Sequence, residues 1–128
     1  MSGKIGKEVL DMFERASPVV LRRVQDMPNW CGVWQKQLLS EFAKLPYLIA
    51  HAAYSNQISK VRDVDAQLCA IRSAVRIAAQ NELRWLSIPA ETAILNVLHP
   101  IGLKINEWKA QINSARGRDK RYATVRPA

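Results

Sequence analysis

The chain has 128 residues, 48% of them hydrophobic and 23% charged. That length suits one compact domain, and that mix excludes wholesale disorder. Nineteen Lys and Arg against eleven Asp and Glu leave a net charge of +8, a bias toward nucleic acid, acidic lipid or acidic protein.

No apolar run approaches the roughly 18–20 residues that span a bilayer. The opening Met1-Ser2-Gly3-Lys4-Ile5-Gly6-Lys7-Glu8 lacks the apolar core of a signal peptide. Cytoplasmic residence with no membrane partner is therefore expected.

Four helical stretches follow one another, with no convincing strand. Over residues 4–26, Ile5, Val9, Met12, Ala16, Val19 or Val20, and Val24 form an apolar stripe opposite Lys7, Glu8, Asp11, Glu14, Arg15, Arg22 and Arg23. Pro18 falls inside it, where a missing amide donor and a ring clash predict a kink or interruption. Residues 32–54 form the second stretch, with Leu38, Phe42, Leu45, Ile49 and Ala52 on its core face and Pro46 inside. Only Tyr54-Ser55-Asn56-Gln57 separates it from the third, a join that makes the flanking helices antiparallel neighbours.

The third stretch, residues 58–81, carries a heptad-like seam: Val61, Val64, Leu68, Ile71, Val75 and Ala78. Arg62, Asp65, Cys69, Arg72 and Arg76 run parallel to it, shifted about 100° around the helix. Ala66, Ala70, Ser73, Ala74 and Ile77 form the far side. Small residues there suit the close approach of another subunit, although Ala is also simply a good helix former.

The fourth stretch, residues 88–115, opens on Ser87-Ile88-Pro89-Ala90-Glu91, a capping side chain, an early Pro and a first-turn acid. Ile94, Leu98, Ile101, Ile105, Trp108 and Ile112 form its seam, and Pro100 and Gly102 argue for a bend. Together the four stripes predict an all-α, up-down-up-down four-helix bundle over residues 1–115.

Half of the net charge lies in residues 116–128, where Arg116, Arg118, Lys120, Arg121 and Arg126 face one acid, Asp119. Such a segment reads as a flexible tail suited to phosphate contacts. Arg72 and Arg76 stand one turn apart, where like charges cost a few tenths of a kcal/mol. Two readings remain open: ion pairs to acids of a neighbouring helix such as Asp11, Glu14 or Glu41, or a clamp in which guanidinium forks grip phosphate. Asp65 reads as a structural partner of Arg62 or Arg72.

Enzymatic constellations are not found: no phosphate loop, nucleophile elbow or metal-ligand spacing stands in the chain. Cys31 and Cys69, the two cysteines, read as buried free thiols, and His51 and His99 stand alone. Trp108 reads as core. Trp30, Trp34 and Trp85 read as caps of the bundle, or as stacking partners for bases beside Arg84.

Ser55-Asn56-Gln57-Ile58-Ser59-Lys60, then Asp65-Ala66-x-Leu68 and Ile71-Arg72-x-x-Val75-Arg76, resemble the accessory variability determinant (Avd) proteins of diversity-generating retroelements. In layout the resemblance covers about residues 10–112 and continues weakly through Ile88-Pro89, Gly102 and Trp108. Its distinctive part is the block from Asn56 to Arg76. The glycine often found just before that tryptophan is missing, since Asn106 and Glu107 stand there.

The resemblance implies a four-helix bundle assembled as a homopentameric ring with a basic surface and no cofactor. It implies binding to the element's reverse transcriptase and its template-repeat RNA, with DNA or an RNA/DNA hybrid as further ligands. Mutagenic retrohoming would be the process served. Arg72 and Arg76 would bind the partner, with Lys60 and Arg62 as lesser contributors. A related bundle family, encoded by intervening sequences of ribosomal RNA genes, shares the fold and the ring.

The function expected is thus a non-catalytic nucleic-acid-binding accessory protein, with Arg84, Arg116, Arg118, Lys120 and Arg121 adding phosphate contacts. A protein-interaction adaptor is the alternative, and a small nuclease a more distant one.

Overall fold

The computed structural model describes residues 3–28 and 32–125, with side chains over 4–28 and 32–115. Trp30 and Cys31, expected as a cap and a buried thiol, lie outside it. Among the described residues there is helix and turn and no strand. Five helices follow in order: α1 (Gly3–Gln25), α2 (Gly32–Ala43), α3 (Leu45–Ser55), α4 (Ile58–Ala78) and α5 (Ile88–Val125).

α2 and α3 form a single arm, so the whole is a four-arm helical bundle. α1 and α4 each pack on both α3 and α5, and α2 extends the α3 arm against α1 and α4. The backbones of α1 and α4 do not come within 8 Å, nor do those of α3 and α5.

The seams expected on the later stretches are all buried, from Leu38 to Ala52, from Val61 to Ala78 and from Ile94 to Ile112. In α1 the stripe needs one correction. Phe13 is in the core and Met12 only half-buried, because the Phe13 ring meets Phe42 at 4.7 Å between centroids.

The prolines act differently from one another. α1 continues through Pro18, which is exposed; the Glu14 carbonyl that loses its amide partner can be met by water. At Lys44, however, the second stretch breaks into two helices. Pro46 then sits in the first turn of α3, where an amide would have no intrahelical acceptor anyway.

α5 starts as expected: Ser87 Oγ accepts a hydrogen bond from the Ala90 amide at 3.2 Å, the geometry of an N-cap. It does not fade at Ala115. The backbone stays helical to Val125, where a flexible tail was expected. Arg and Lys are good helix formers and no proline intervenes, so one Gly117 at a cost of about 1 kcal/mol does not stop the helix.

One end of the bundle is drawn tight around Trp108, which has no exposed surface. Its indole N–H donates to Asn56 Oδ1 at 3.2 Å. Asn56 closes α3 in the left-handed conformation, φ 51°, with its amide bonded to the Ala52 carbonyl, a position that asparagine tolerates well.

Gly6 of α1 lies against this knot. A Cβ built on it would sit 2.5 Å from Ala53 Cβ, 2.9 Å from Ala53 Cα and 3.0 Å from the Trp108 ring. The glycine that permits close packing at the tryptophan is therefore in α1, not beside Trp108 in its own helix.

Gly6→Ala should accordingly destabilise the fold by about 1–3 kcal/mol through overpacking, outweighing the gain of about 1 kcal/mol in helix propensity. Urea denaturation measures it, and Ala53→Gly in the same chain should restore part of the loss. A Gly6→Ala variant more stable than the parent would refute the close approach.

Candidate nucleic-acid interface

Two contacts set the rotation of α4. Gln67 Nε2 donates to Glu41 Oε2 at 2.7 Å and to the Glu41 carbonyl at 2.9 Å, so this flank meets the α2–α3 arm. On the other flank Asp65 accepts from Lys109 Nζ at 2.7 Å, joining α4 to α5. Arg72, seven residues after Asp65, lies on this second flank, because seven residues are nearly two whole turns.

There Arg72 rests on the backbone of α5. A Cβ added to Gly102 would lie 3.2 Å and 3.3 Å from the two terminal nitrogens of the guanidinium. Arg72 also donates weakly to Cys69 Sγ at 3.8 Å. No carboxylate takes it: among the described residues neither Arg72 nor Arg76 forms an ion pair.

The acids offered as partners are engaged or distant. Glu41 is held by Gln67, Gln37 and Lys44. Asp11 and Glu14 are exposed on α1, which does not adjoin α4. Asp65 is a structural partner, but of Lys109 rather than Arg62 or Arg72.

Arg76, in the last turn of α4, is exposed and favoured there by the negative end of the helix dipole. That gain, typically about 0.3–1 kcal/mol, offsets the repulsion between it and Arg72. Arg62 is exposed on the same flank, fourteen residues before Arg76.

Other expected residues are not brought here. Lys60, half-buried, lies seven residues before Gln67 and so on the opposite flank. Arg84 is at the far end of α4, in the turn to α5, with φ 50° and its amide bonded to the Gln80 carbonyl. It lines two adjoining hollows of about 250 and 380 Å³ together with Leu86 and Ser87. Trp34 and Trp85 close that end, their rings 5.7 Å apart and tilted by 58°, both packed on the core. The side chains of Arg116, Arg118, Lys120 and Arg121 lie outside the described residues.

On the outer face of α4, Ala66, Ala70, Ser73 and Ile77 are exposed, while Ala74 packs on the core. Cys69 is an exposed free thiol, not a buried one, since it falls beside Arg72 and Arg76 rather than on the seam. His51 and His99 are exposed. No group of three or more His, Cys, Asp or Glu among the described residues could hold a metal ion, and no helix there is long and apolar enough to cross a membrane.

No family profile matches the chain, and no curated protein matches it.

Two contacts of α5 are set by packing between helices. Gly102 is the seat of Arg72, and its sequence signal is a glycine beside Ile101 of the α5 seam. Lys104 joins α5 to α1 through Glu8 at 2.7 Å and also meets Glu107 at 3.3 Å. The hydrogen bond from Lys104 holds the Glu8 carboxyl below its usual range of 4.5, and the same bond, with Glu107, raises Lys104 above 10.5.

The signs fix the pH dependence. A lowered carboxyl adds stability above its unfolded value of 4.5, lost as pH falls through the folded value; a raised lysine adds stability below 10.5, lost as pH rises through its folded value. Glu8→Gln should therefore lower the urea midpoint at neutral pH, and the gap to the parent should close as pH falls through the lowered value of the folded carboxyl. A gap that stays constant with pH would show that the ion pair is not its source.

Proposed function

We propose that this chain is a non-catalytic accessory protein that binds nucleic acid through the α5-facing flank of α4. The reading includes the partners that the Asn56–Arg76 block implies: a retroelement's reverse transcriptase and its template RNA, met in the cytoplasm during mutagenic retrohoming. It includes the assembly as well, with arms running up-down-up-down and Ala66, Ala70, Ser73 and Ile77 at the contacts of a five-membered ring.

One observation carries the proposal. Every ion pair among the described residues draws its cation from a lysine: Lys44, Lys104 or Lys109. Arg62, Arg72, Arg76 and Arg84 are in none. Arginine is the better residue for a two-point grip on either a carboxylate or a phosphate. A fold that ties its helices with lysine and leaves these arginines out of its ion pairs keeps the stronger phosphate ligands available for something other than itself. A ring would repeat the flank, and weak phosphate contacts would then add through effective concentration.

Gel-shift binding of single-stranded RNA across a salt series tests this. For about six neutralised phosphates on a single strand, affinity should fall by about two and a half orders of magnitude between roughly 50 and 200 mM salt. Arg72→Ala with Arg76→Ala should reduce the salt slope by about 2, one for each lost contact. Salt-independent affinity would refute the electrostatic mechanism. RNA binding unchanged in the double variant, with loss of binding to the polymerase, would make the arginines a protein-docking site instead.

A further inference from the structure

α3 is the one helix among the described residues with no Lys, Arg, Asp or Glu: its sequence is LPYLIAHAAYS. The core takes Leu45, Ile49 and Ala52. The opposite face carries Tyr47, His51 and Tyr54, spaced as i, i+4 and i+7 and therefore in one line along the helix. Tyr47 is 71% exposed and Tyr54 93%. Tyr47 and His51 stack with ring centroids 5.8 Å apart and planes within 16° of parallel.

A helix without charge on its solvent face is the pattern of one that is covered in use. The chemistry of this face narrows the cover: flat rings with polar tips, not branched aliphatic side chains. The two helices beside it each carry a lysine near its Tyr54 end. Lys7 follows Gly6, which touches Ala53 beside Tyr54, and it is exposed without an ion pair. Lys60 lies on the flank of α4 turned toward the α2–α3 arm, likewise outside any ion pair.

We infer that the Tyr47–His51–Tyr54 face is a stacking track for the bases of single-stranded RNA, with Lys7 and Lys60 taking phosphates at its Tyr54 end. From Tyr47 to Tyr54 the helix rises about 10.5 Å. Rings in a line beside cations are the arrangement by which single strands are bound without regard to sequence. A duplex keeps its bases stacked on one another and cannot use the track. This inference rests on the nucleic-acid reading above but concerns a different face of the bundle, so the two can fail separately.

The test compares the binding of labelled oligouridylate and of an RNA duplex of equal length by the full chain and its variants. Tyr47→Ala with Tyr54→Ala should weaken oligouridylate binding about tenfold or more and leave the duplex within about twofold. Tyr47→Phe with Tyr54→Phe keeps the rings and should bind as the parent does. Both residues are exposed, and circular dichroism checks that the variants fold.

Unchanged oligouridylate binding by the alanine variant would overturn the track while leaving the arginine flank standing. Equal losses for duplex and single strand, or loss in the phenylalanine variant too, would also overturn it. A fall in assembly size of the alanine variant by light scattering would overturn it in favour of contact between copies. Failure of the parent to bind either RNA would remove both readings.

Discussion

The bundle depends on one crowded junction. Trp108 is wholly buried, its indole N–H is spent on Asn56, and Gly6 and Ala53 close over its ring. Three helices, α1, α3 and α5, meet there, and Asn56 also turns the chain into α4. An indole buried without an acceptor for its N–H would cost about 1–3 kcal/mol. The Asn56 side chain is therefore both a turn and the partner that lets a large aromatic sit at the centre. Because Trp108 is fixed in α5 and Asn56 stands just before α4, the junction also sets how far along one another α4 and α5 lie.

That register decides what the arginines can do. With Lys109 opposite Asp65, Gly102 comes opposite Arg72, and the terminal nitrogens of the guanidinium lie against a helix backbone. The arrangement withholds from Arg72 the acid nearest on its own flank, since Asp65 is already taken. A shift of one turn between the two helices would put a side chain under the guanidinium. The electrostatics of the flank thus follow from apolar packing some turns away.

Periodicity made most of the core legible. Residues such as Val61, Leu68, Ile94 and Ile105 repeat at helical spacing, and burial of one implies burial of the next. The break at Lys44 was harder to read because the apolar stripe runs unbroken from Phe42 to Leu45 to Ile49 across it. Only the backbone changes there, and Pro46 is as compatible with a first turn as with a kink. Phe13 and Met12 are hard to tell apart because neighbouring positions differ by only about 100°, and the choice between them is made by Phe42, which meets the Phe13 ring from another helix. At the candidate interface, the charge type of each residue was readable but its partner was not. Asp65 could meet Arg62, Arg72 or Lys109 as far as spacing within α4 was concerned; the register of α5 chose. The tyrosines of α3 carried a signal, aromatic spacing in an uncharged segment, which the search for a core stripe in the same residues obscured.

The difference between the paired lysines and the unpaired arginines can be taken one step further. An ammonium is strongly hydrated and compact, so a half-exposed lysine gains little from any one partner and loses little when exchanged for another. A guanidinium is weakly hydrated, and most of its interaction energy comes from meeting a planar anion squarely. Left free on a flexible stem, it would pay the ordering of that stem at the moment of binding, of the order of 0.5–1.5 kcal/mol. On the reading proposed above, Gly102 would remove part of this cost for Arg72 by giving it a surface to rest on before any ligand arrives, while Arg62 and Arg76 remain exposed on either side. Substituting Gly102 by alanine would leave every charge in place and displace only the guanidinium's resting position. On that reading, a role of Arg72 as a preorganised group, as distinct from one more positive charge, would be contained in that single missing methyl.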